Sequence, residues 1–256
     1  MIETIETGTG NLSVFYVEDT KAKANHKQPE RLALLFYGAP SAPQTDEVDA
    51  DLFLESFATR LAASSNSFVA VVLLRGVGSS TGSFSPMGWT QDVQAVCEHL
   101  GVMMPSARVY LIGFELASIA CLAAATELEQ VAGVATISIV PTIPPYGLSY
   151  DDLANQLKNL GVDVPNSPDE INAWESEFQA INPSVIAPRL GNTPWLVIHG
   201  ANDTGVPEHE VRRLMEDVAG FGDLHMITAG ADSVRADPRV LALLVGWIAR
   251  TDSNPK

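Results

Sequence analysis

The stretch that decides the fold is Arg108–Glu129, which reads RVYLIGFELASIACLAAATELE. Residues 108–112 are rich in large apolar side chains, which is typical of a strand buried in a sheet. Residues 116–129 form a longer, alanine-rich apolar segment of the length expected of a helix. A strand that turns directly into a helix is the repeating unit of proteins built on a parallel sheet.

The same unit recurs on both sides of this stretch, so we predict an α/β protein with a mostly parallel sheet. An N-terminal hairpin is predicted at residues 2–6 and 11–17 around Gly8. Further strands are predicted at residues 32–37, 68–74, 131–140, 195–199 and 224–227, and further helices at residues 48–63, 90–100, 207–219 and 240–250. Alternation of this kind places helices on both faces of the sheet.

Residues 141–194 interrupt the alternation with a proline-rich start and two predicted helices. The second of these helices has Ser167 as its N-cap and Pro168 in its first position. An excursion of this length beyond the strand ends is where a cap over a site would lie. A chain of 256 residues, 46% of them hydrophobic, is enough for one large domain. We therefore predict a single domain over residues 1–256 with a small helical cap at residues 141–194.

The composition limits the partners and the compartment. The formal net charge of −16 repels nucleic acid and anionic membranes, so we expect neither as a partner. Cys97 and Cys121 lie in apolar helical stretches without the paired spacing of metal ligands, and we expect buried thiols in a reducing compartment. The N-terminus lacks the pattern of a signal peptide, and no apolar segment is long enough to span a bilayer, so a cytoplasmic location is expected.

A series of motifs in a fixed order gives a more specific indication. They are Tyr37-Gly38-Ala39-Pro40, Arg75–Gly82 with Asp92 after it, Gly113-Phe114-Glu115-Leu116-Ala117, His199–Asp203 with Val206-Pro207, and Gly230-Ala231-Asp232. Together they resemble the α/β-hydrolase superfamily of esterases and lipases over nearly the whole chain. The resemblance implies a mostly parallel sheet of about eight strands with helices on both faces, and a nucleophile elbow at residues 113–117.

The resemblance also implies where the functional groups lie. The triad positions fall on Glu115, Asp203 and Asp232, the oxyanion-hole amides on Ala39 and Leu116, and the ligand pocket on Tyr37, Gly38 and Phe114. The superfamily has serine at the first triad position and histidine at the third, so this chain carries a degenerate triad. Small residues remain at Gly113 and Ala117, which predicts that the elbow keeps its shape without its hydroxyl.

Serine catalysis needs a hydroxyl and a base whose pKa is near neutral, and the acidic residues at these positions supply neither. Ser118 lies inside the helix that follows the elbow, where we expect a packing role. The histidines occur at positions 26, 99, 199, 209 and 225, and none stands on the expected loop. A triad relocated to some of them is the remaining alternative for serine chemistry.

Three functions are compatible with this set of residues. The first is a non-catalytic protein that binds a small apolar ligand under the cap, or that serves in interactions. The second is a hydrolase or lyase of small organic substrates that uses Glu115 as a carboxylate nucleophile or as a general acid or base. In the third, the acidic trio of Glu115, Asp203 and Asp232 binds Mg²⁺ or Ca²⁺. For the trio we favour neutralisation by an arginine such as Arg235, with no bound metal and no cofactor.

Overall fold

The computed structural model describes residues 2–8, 10–17, 29–39, 47–144, 148–218 and 222–253, with the side chains of residues 47–52, 231 and 232 left out. Within this part of the chain eight strands form one sheet. They are β1 (Ile2–Thr7), β2 (Gly10–Val17), β3 (Arg31–Tyr37), β4 (Phe68–Leu73), β5 (Arg108–Phe114), β6 (Val131–Ile137), β7 (Trp195–Gly200) and β8 (Gly222–Ile227). Their order across the sheet is β1-β2-β4-β3-β5-β6-β7-β8.

The sheet is mostly parallel, as predicted. The hairpin β1–β2 adds to β4 in the antiparallel sense, whereas β3 to β8 pair with one another in the parallel sense. β3 lies at the centre, where Leu34 pairs with Ala70 on one side and with Leu111 on the other. Strands covered on both faces are continuous apolar runs, and the buried β3 fits this rule.

Helices cover both faces of the sheet. In chain order they are α1 (Glu47–Ser65), α2 (Pro86–Met103), α3 (Ala117–Ala125), α4 (Tyr150–Asn159), α5 (Pro168–Ala180), α6 (Pro183–Ile186) followed by a 3₁₀ turn (Ala187–Leu190), α7 (Glu208–Asp217), α8 (Ala231–Val234) and α9 (Pro238–Ser253). Phe114 packs on Phe57 of α1, and Tyr110 packs on Trp247 of α9. Gly113 faces the opposite way, onto α3. None of the described helices is both long and apolar enough to cross a membrane.

Several element boundaries differ from the prediction by a few residues, and two of these differences have a clear local reason. α2 begins at Pro86 instead of residue 90, because the Ser85 hydroxyl accepts a hydrogen bond from the Gly88 amide at 2.9 Å and caps the helix. β6 ends at Ile137 instead of residue 140, because Ser138 turns out of the strand with a left-handed φ of 55°. Ser167 is the N-cap of α5 as predicted, but its side chain makes no capping hydrogen bond.

The excursion after β6 carries the helices α4, α5 and α6, and it docks on the loop that follows β4. The Asp163 carbonyl accepts a hydrogen bond from the Phe84 amide at 2.8 Å, and the Asp163 amide donates to the Gly76 carbonyl at 2.7 Å. Trp174 of α5 meets Phe84 edge to face at 4.8 Å. Its assignment as a cap inserted into a single domain stays a prediction.

A buried ion pair holds the same loop to α2. Arg75 Nη2 lies 2.6 Å from Asp92 Oδ1, and the Asp92 side chain is completely buried. The Arg75 amide also donates to Asp92 Oδ2 at 3.0 Å. This contact makes Asp92 a structural carboxylate of the Arg75 loop.

Candidate functional site

Glu115 lies at the tip of a sharp turn between β5 and α3. It has a left-handed φ of 51°, which is a strained conformation for a residue with a side chain. The Glu115 amide donates to the Ile137 carbonyl at 2.7 Å, and the Glu115 carbonyl accepts from the Ser118 amide at 3.0 Å. The predicted strand–turn–helix is therefore present, with a half-buried carboxylate at its tip.

The elbow depends on a glycine two residues before its tip. A Cβ at Gly113 would lie 2.6 Å from Ser118 Cα and 2.9 Å from the Ala117 carbonyl oxygen, both of them atoms of the backbone. Backbone cannot move aside as the end of a long side chain can, so the turn and α3 approach this closely only over glycine. Ala117, the other small residue of the motif, is completely buried.

We expect Gly113→Ala to destabilise the protein by about 2 kcal/mol, as overpacking a rigid site does. Chemical unfolding in urea measures this loss. A matched substitution is Gly101→Ala, because a Cβ at Gly101 in α2 meets no atom within 4 Å. Equal stability of the two variants would contradict the close approach described for Gly113.

The predicted oxyanion-hole positions lie at the ends of neighbouring strands β3 and β5. Leu116 is half-buried with helical φ and ψ of −63° and −33°, and its N–H has no acceptor among the described residues. Ala39 is half-buried and follows Gly38, where a Cβ would come within 2.4 Å of the Trp89 ring. This contact explains why position 38 is a glycine. That the amides of Ala39 and Leu116 together form an oxyanion hole stays a prediction.

The residues predicted to line a ligand pocket are covered by other side chains. Trp89 packs over Gly38, and Phe57 meets Phe114 edge to face at 5.8 Å. Tyr37 is 5% exposed, and its hydroxyl accepts a hydrogen bond from Arg235 Nη1 at 3.2 Å. Each of the three positions therefore has a packing role, and contact with a ligand stays a prediction.

Asp203 is held by its own loop, just beyond the end of β7. Its Oδ1 accepts hydrogen bonds from the amides of Gly205 at 2.8 Å and Val206 at 2.9 Å. Its Oδ2 lies 3.7 Å from Nε2 of His199. The residue is 7% exposed, so the carboxylate is fixed in a largely buried position.

His199 is a structural histidine. It is completely buried, and its Nε2 lies 2.8 Å from the Val206 carbonyl oxygen. Because a carbonyl can only accept, Nε2 carries a proton, and in the neutral tautomer with this arrangement Nδ1 is an acceptor. Nδ1 has no hydrogen-bond partner among the described residues.

The third member of the acidic trio lies at the start of α8. Gly230 precedes the helix, and the side chain of Asp232 lies outside the described residues. Its distance from the other two carboxylates is therefore a prediction, as is the binding of a cation by the trio. Among the described side chains, no three of His, Cys, Asp and Glu are grouped in a way that could hold a metal ion.

Arg235, the arginine that we expected to neutralise the trio, has other described contacts. Its Nη1 donates to the Tyr37 hydroxyl, and its guanidinium carbon lies 5.8 Å from the centre of the Phe53 ring. The cation is thus fixed at the end of β3, over the aromatic side chains of α1. Neutralisation of the trio stays a prediction.

The serine and the histidines considered for a relocated triad have other partners. Ser118 is completely buried, and its hydroxyl donates to the Gly113 carbonyl at 2.7 Å, which confirms its packing role. The nearest carboxylates to the remaining described histidines lie elsewhere on the fold: Glu3 at 3.6 Å from His99, Glu210 at 3.2 Å from His209 and Asp223 at 3.2 Å from His225. His26 lies outside the described residues.

Sequence reasoning missed Ser138, which stands directly beside the elbow. Its amide donates to the Ile198 carbonyl at 2.8 Å, while the carbonyl of the preceding Ile137 accepts from Glu115. Ser138 is 5% exposed, and its hydroxyl has no partner among the described residues. The apolar run at residues 131–140 predicts a continuous strand, because a serine within such a run does not indicate a turn.

A small cleft lies between the excursion and α3. Its volume is about 40 Å³, which suits a water molecule or two and is far below the size of a pocket for an organic ligand. The residues that line it are Ile119, Pro141, Ile143, Tyr150, Phe178, Gln179, Ile181, Asn182 and Pro183. Glu115 is not among them, so this cleft is separate from the elbow.

Comparison with known proteins supports the fold and leaves the activity open. Neither a protein-family model nor a curated protein sequence matches this chain. Est1E from Butyrivibrio proteoclasticus is a structural neighbour with 14% identity and a TM-score of 0.68, and the match covers 99% of each chain. The Pyrococcus furiosus esterase Pf2001 has 15% identity and a TM-score of 0.68 over 98% of this chain and 92% of the esterase.

An α/β serine hydrolase homologue from Coxiella burnetii is similar to the same extent, with 14% identity and a TM-score of 0.62 over 98% of this chain and 96% of its own. These matches, together with the strand order and the elbow, show that the chain has the α/β-hydrolase fold. At such low identity they carry no information about substrate.

Proposed function

We propose that this α/β-hydrolase-fold protein is non-catalytic and binds a small molecule at the elbow and the neighbouring strand ends. The observation that supports the proposal most is the elbow itself. Its backbone has the conformation that presents a catalytic side chain, yet the side chain presented is the carboxylate of Glu115. A scaffold that keeps the shape of a site while lacking the hydroxyl of its usual chemistry is expected to bind rather than to turn over an ester.

The chemistry of acyl transfer gives the physical reason. The attacking hydroxyl must hand its proton to a base whose pKa is near neutral, usually an imidazole within hydrogen-bonding distance. Near the elbow, the hydroxyl of Ser118 already donates to Gly113, and Nε2 of His199 is bonded to Val206. The Ser118 hydroxyl is therefore engaged, and the His199 ring is held in place through the nitrogen that donates to Val206.

We therefore expect no labelling by fluorophosphonate probes and negligible turnover of p-nitrophenyl esters. A serine hydrolase treated in parallel controls for the reagent. Stoichiometric labelling of any serine, located by mass spectrometry, would overturn the proposal. Labelling that persists in Ser118→Ala would place the nucleophile at another serine.

A second candidate function is a hydrolase or lyase that uses Glu115, and the backbone strain at this residue favours it. Strained conformations persist where the surrounding structure enforces them, and they are concentrated at active sites. A carboxylate nucleophile that opens a small epoxide would leave a hydroxyalkyl ester on Glu115. Mass spectrometry of the peptide containing Glu115 after incubation with an epoxide tests this, with Glu115→Gln as the control.

A further inference from the structure

The ends of β5, β6 and β7 place three polar residues at neighbouring positions of the sheet. The amide of Glu115 is bonded to the carbonyl of Ile137, and the amide of Ser138 is bonded to the carbonyl of Ile198. These two hydrogen bonds fix Glu115, Ser138 and His199 on adjacent strand ends. The side chains contributed there are a carboxylate, a hydroxyl and an imidazole whose Nδ1 is an acceptor in the tautomer that donates from Nε2.

Two of these groups are buried without a partner, which is rare in folded proteins. The hydroxyl of Ser138 and Nδ1 of His199 have no hydrogen bond among the described residues, and the two residues are 5% and 0% exposed. Buried polar atoms almost always have a protein partner or an ordered water. Two buried polar atoms without hydrogen bonds on neighbouring strands therefore indicate a place where a small polar ligand binds.

Ser138 is also held in an unfavourable backbone conformation. Its left-handed φ of 55° matches that of Glu115 at 51°, and of the three described residues other than glycine with a positive φ, these two stand side by side, while Asn66 lies elsewhere. For a serine this conformation is less favourable than an extended one, because Cβ crowds the following carbonyl oxygen. The strain removes Ser138 from the alternation of β6, in which the side chains are packed on both faces of the sheet.

We propose that Ser138 is a ligand-contact residue of the elbow site, and that the group it binds together with Glu115 and His199 is the ammonium of a small organic amine. This inference rests on the proposed binding function. A primary ammonium has three N–H donors and no acceptor, so it complements a site made of acceptors. The formal net charge of −16 also attracts organic cations and repels anions.

The test uses the full chain and three small probes of equal length: butylammonium, butanol and butyrate. Ligand-observed NMR titration at millimolar concentrations measures their affinities. We expect butylammonium to bind and butyrate not to bind. Ser138→Ala and Glu115→Gln should each weaken butylammonium about tenfold, the usual effect of losing one hydrogen bond to a charged group.

Ser118→Ala is the matched control, because it removes a buried serine hydroxyl that already has a partner, the Gly113 carbonyl. This variant should bind butylammonium as the wild type does but melt at a lower temperature. Ser138→Ala should melt no lower than the wild type, since it removes a hydroxyl that has no partner. The melting temperatures thus separate a ligand contact from a structural serine.

Several results would overturn the inference. Among the probe titrations, these are equal affinity for butanol and butylammonium, a preference for butyrate, and no binding of any probe. Among the variants, they are an unchanged affinity of Ser138→Ala for butylammonium, and a drop in the melting temperature of Ser138→Ala as large as that of Ser118→Ala. The first and second results leave the proposed binding function intact, whereas fluorophosphonate labelling would refute that function without bearing on the amine.

Discussion

The double variant Glu115→Ser/Asp232→His is expected to gain esterase activity that neither single variant has. The reason is that the elbow backbone is already in place, with the φ of residue 115 at 51° and, beside it, the N–H of Leu116, which has no acceptor in the part of the chain that the structure describes. Asp203 is fixed by the amides of its loop, as a triad acid must be. What the chain lacks is the hydroxyl and the base, and these act as a unit.

The gain should be at least about 100-fold in the turnover of p-nitrophenyl acetate over the wild type, the lower bound for a positioned general base. Fluorophosphonate should label residue 115 of the double variant. Adding Asp203→Asn to the double variant should remove most of the gain, because the imidazole loses its orienting carboxylate. A folded double variant with wild-type turnover would show that positions 115 and 232 do not face each other.

The elements of this fold could be predicted from local sequence because each is encoded by its own pattern. The apolar run of β3 predicts a buried strand, and the glycine at position 113 predicts a tight turn, each from only a few residues. The structure places both as expected. Boundaries were less predictable, because caps such as Ser85 depend on single hydrogen bonds.

The contents of the site were harder to predict because they depend on contacts between distant parts of the chain. The hydrogen bond from Arg235 to Tyr37 joins residues separated by 198 positions, and no local sequence pattern predicts it. Ser138 is a stronger example. Its importance lies in a backbone angle and an unmet hydroxyl, both of which arise only when β6 is placed between β5 and β7.

The strain at Glu115 and Ser138 bears on whether this site has a function at all. A scaffold without any remaining role would be free to relax, for instance by glycine at either position, which removes the steric cost of a positive φ. Both residues instead have side chains in left-handed conformations on adjacent strand ends. The arrangement is consistent with a site that binds something and gives up some stability to do so.

Removal of the buried guanidinium of Arg75, which holds the loop after β4 to α2, is expected to have the largest effect on stability. The Arg75 side chain is 10% exposed and its ion-pair partner Asp92 is fully buried. Arg75→Met would leave the carboxylate of Asp92 in the core without its counter-charge, which costs about 3–5 kcal/mol. Urea unfolding at pH 7 measures the loss. Arg239→Met, which breaks the exposed pair with Asp237, is the matched control and should change stability little.

The loss in Arg75→Met should depend on pH with a definite sign. Burial raises the pKa of Asp92 above its ordinary value of 3.8, and the guanidinium of Arg75 opposes that rise. Without Arg75 the pKa of Asp92 in the folded protein lies higher still. The stability of the variant is therefore greatest below the pKa that Asp92 has in the unfolded chain, and it falls as the pH rises through the pKa that Asp92 has in the folded protein. The variant should therefore lose less stability at pH 5 than at pH 8.

The double variant Arg75→Met/Asp92→Leu, which removes both charges, should recover most of the stability. A loss that is the same at both pH values, or a double variant no more stable than Arg75→Met, would contradict a buried carboxylate as the cause.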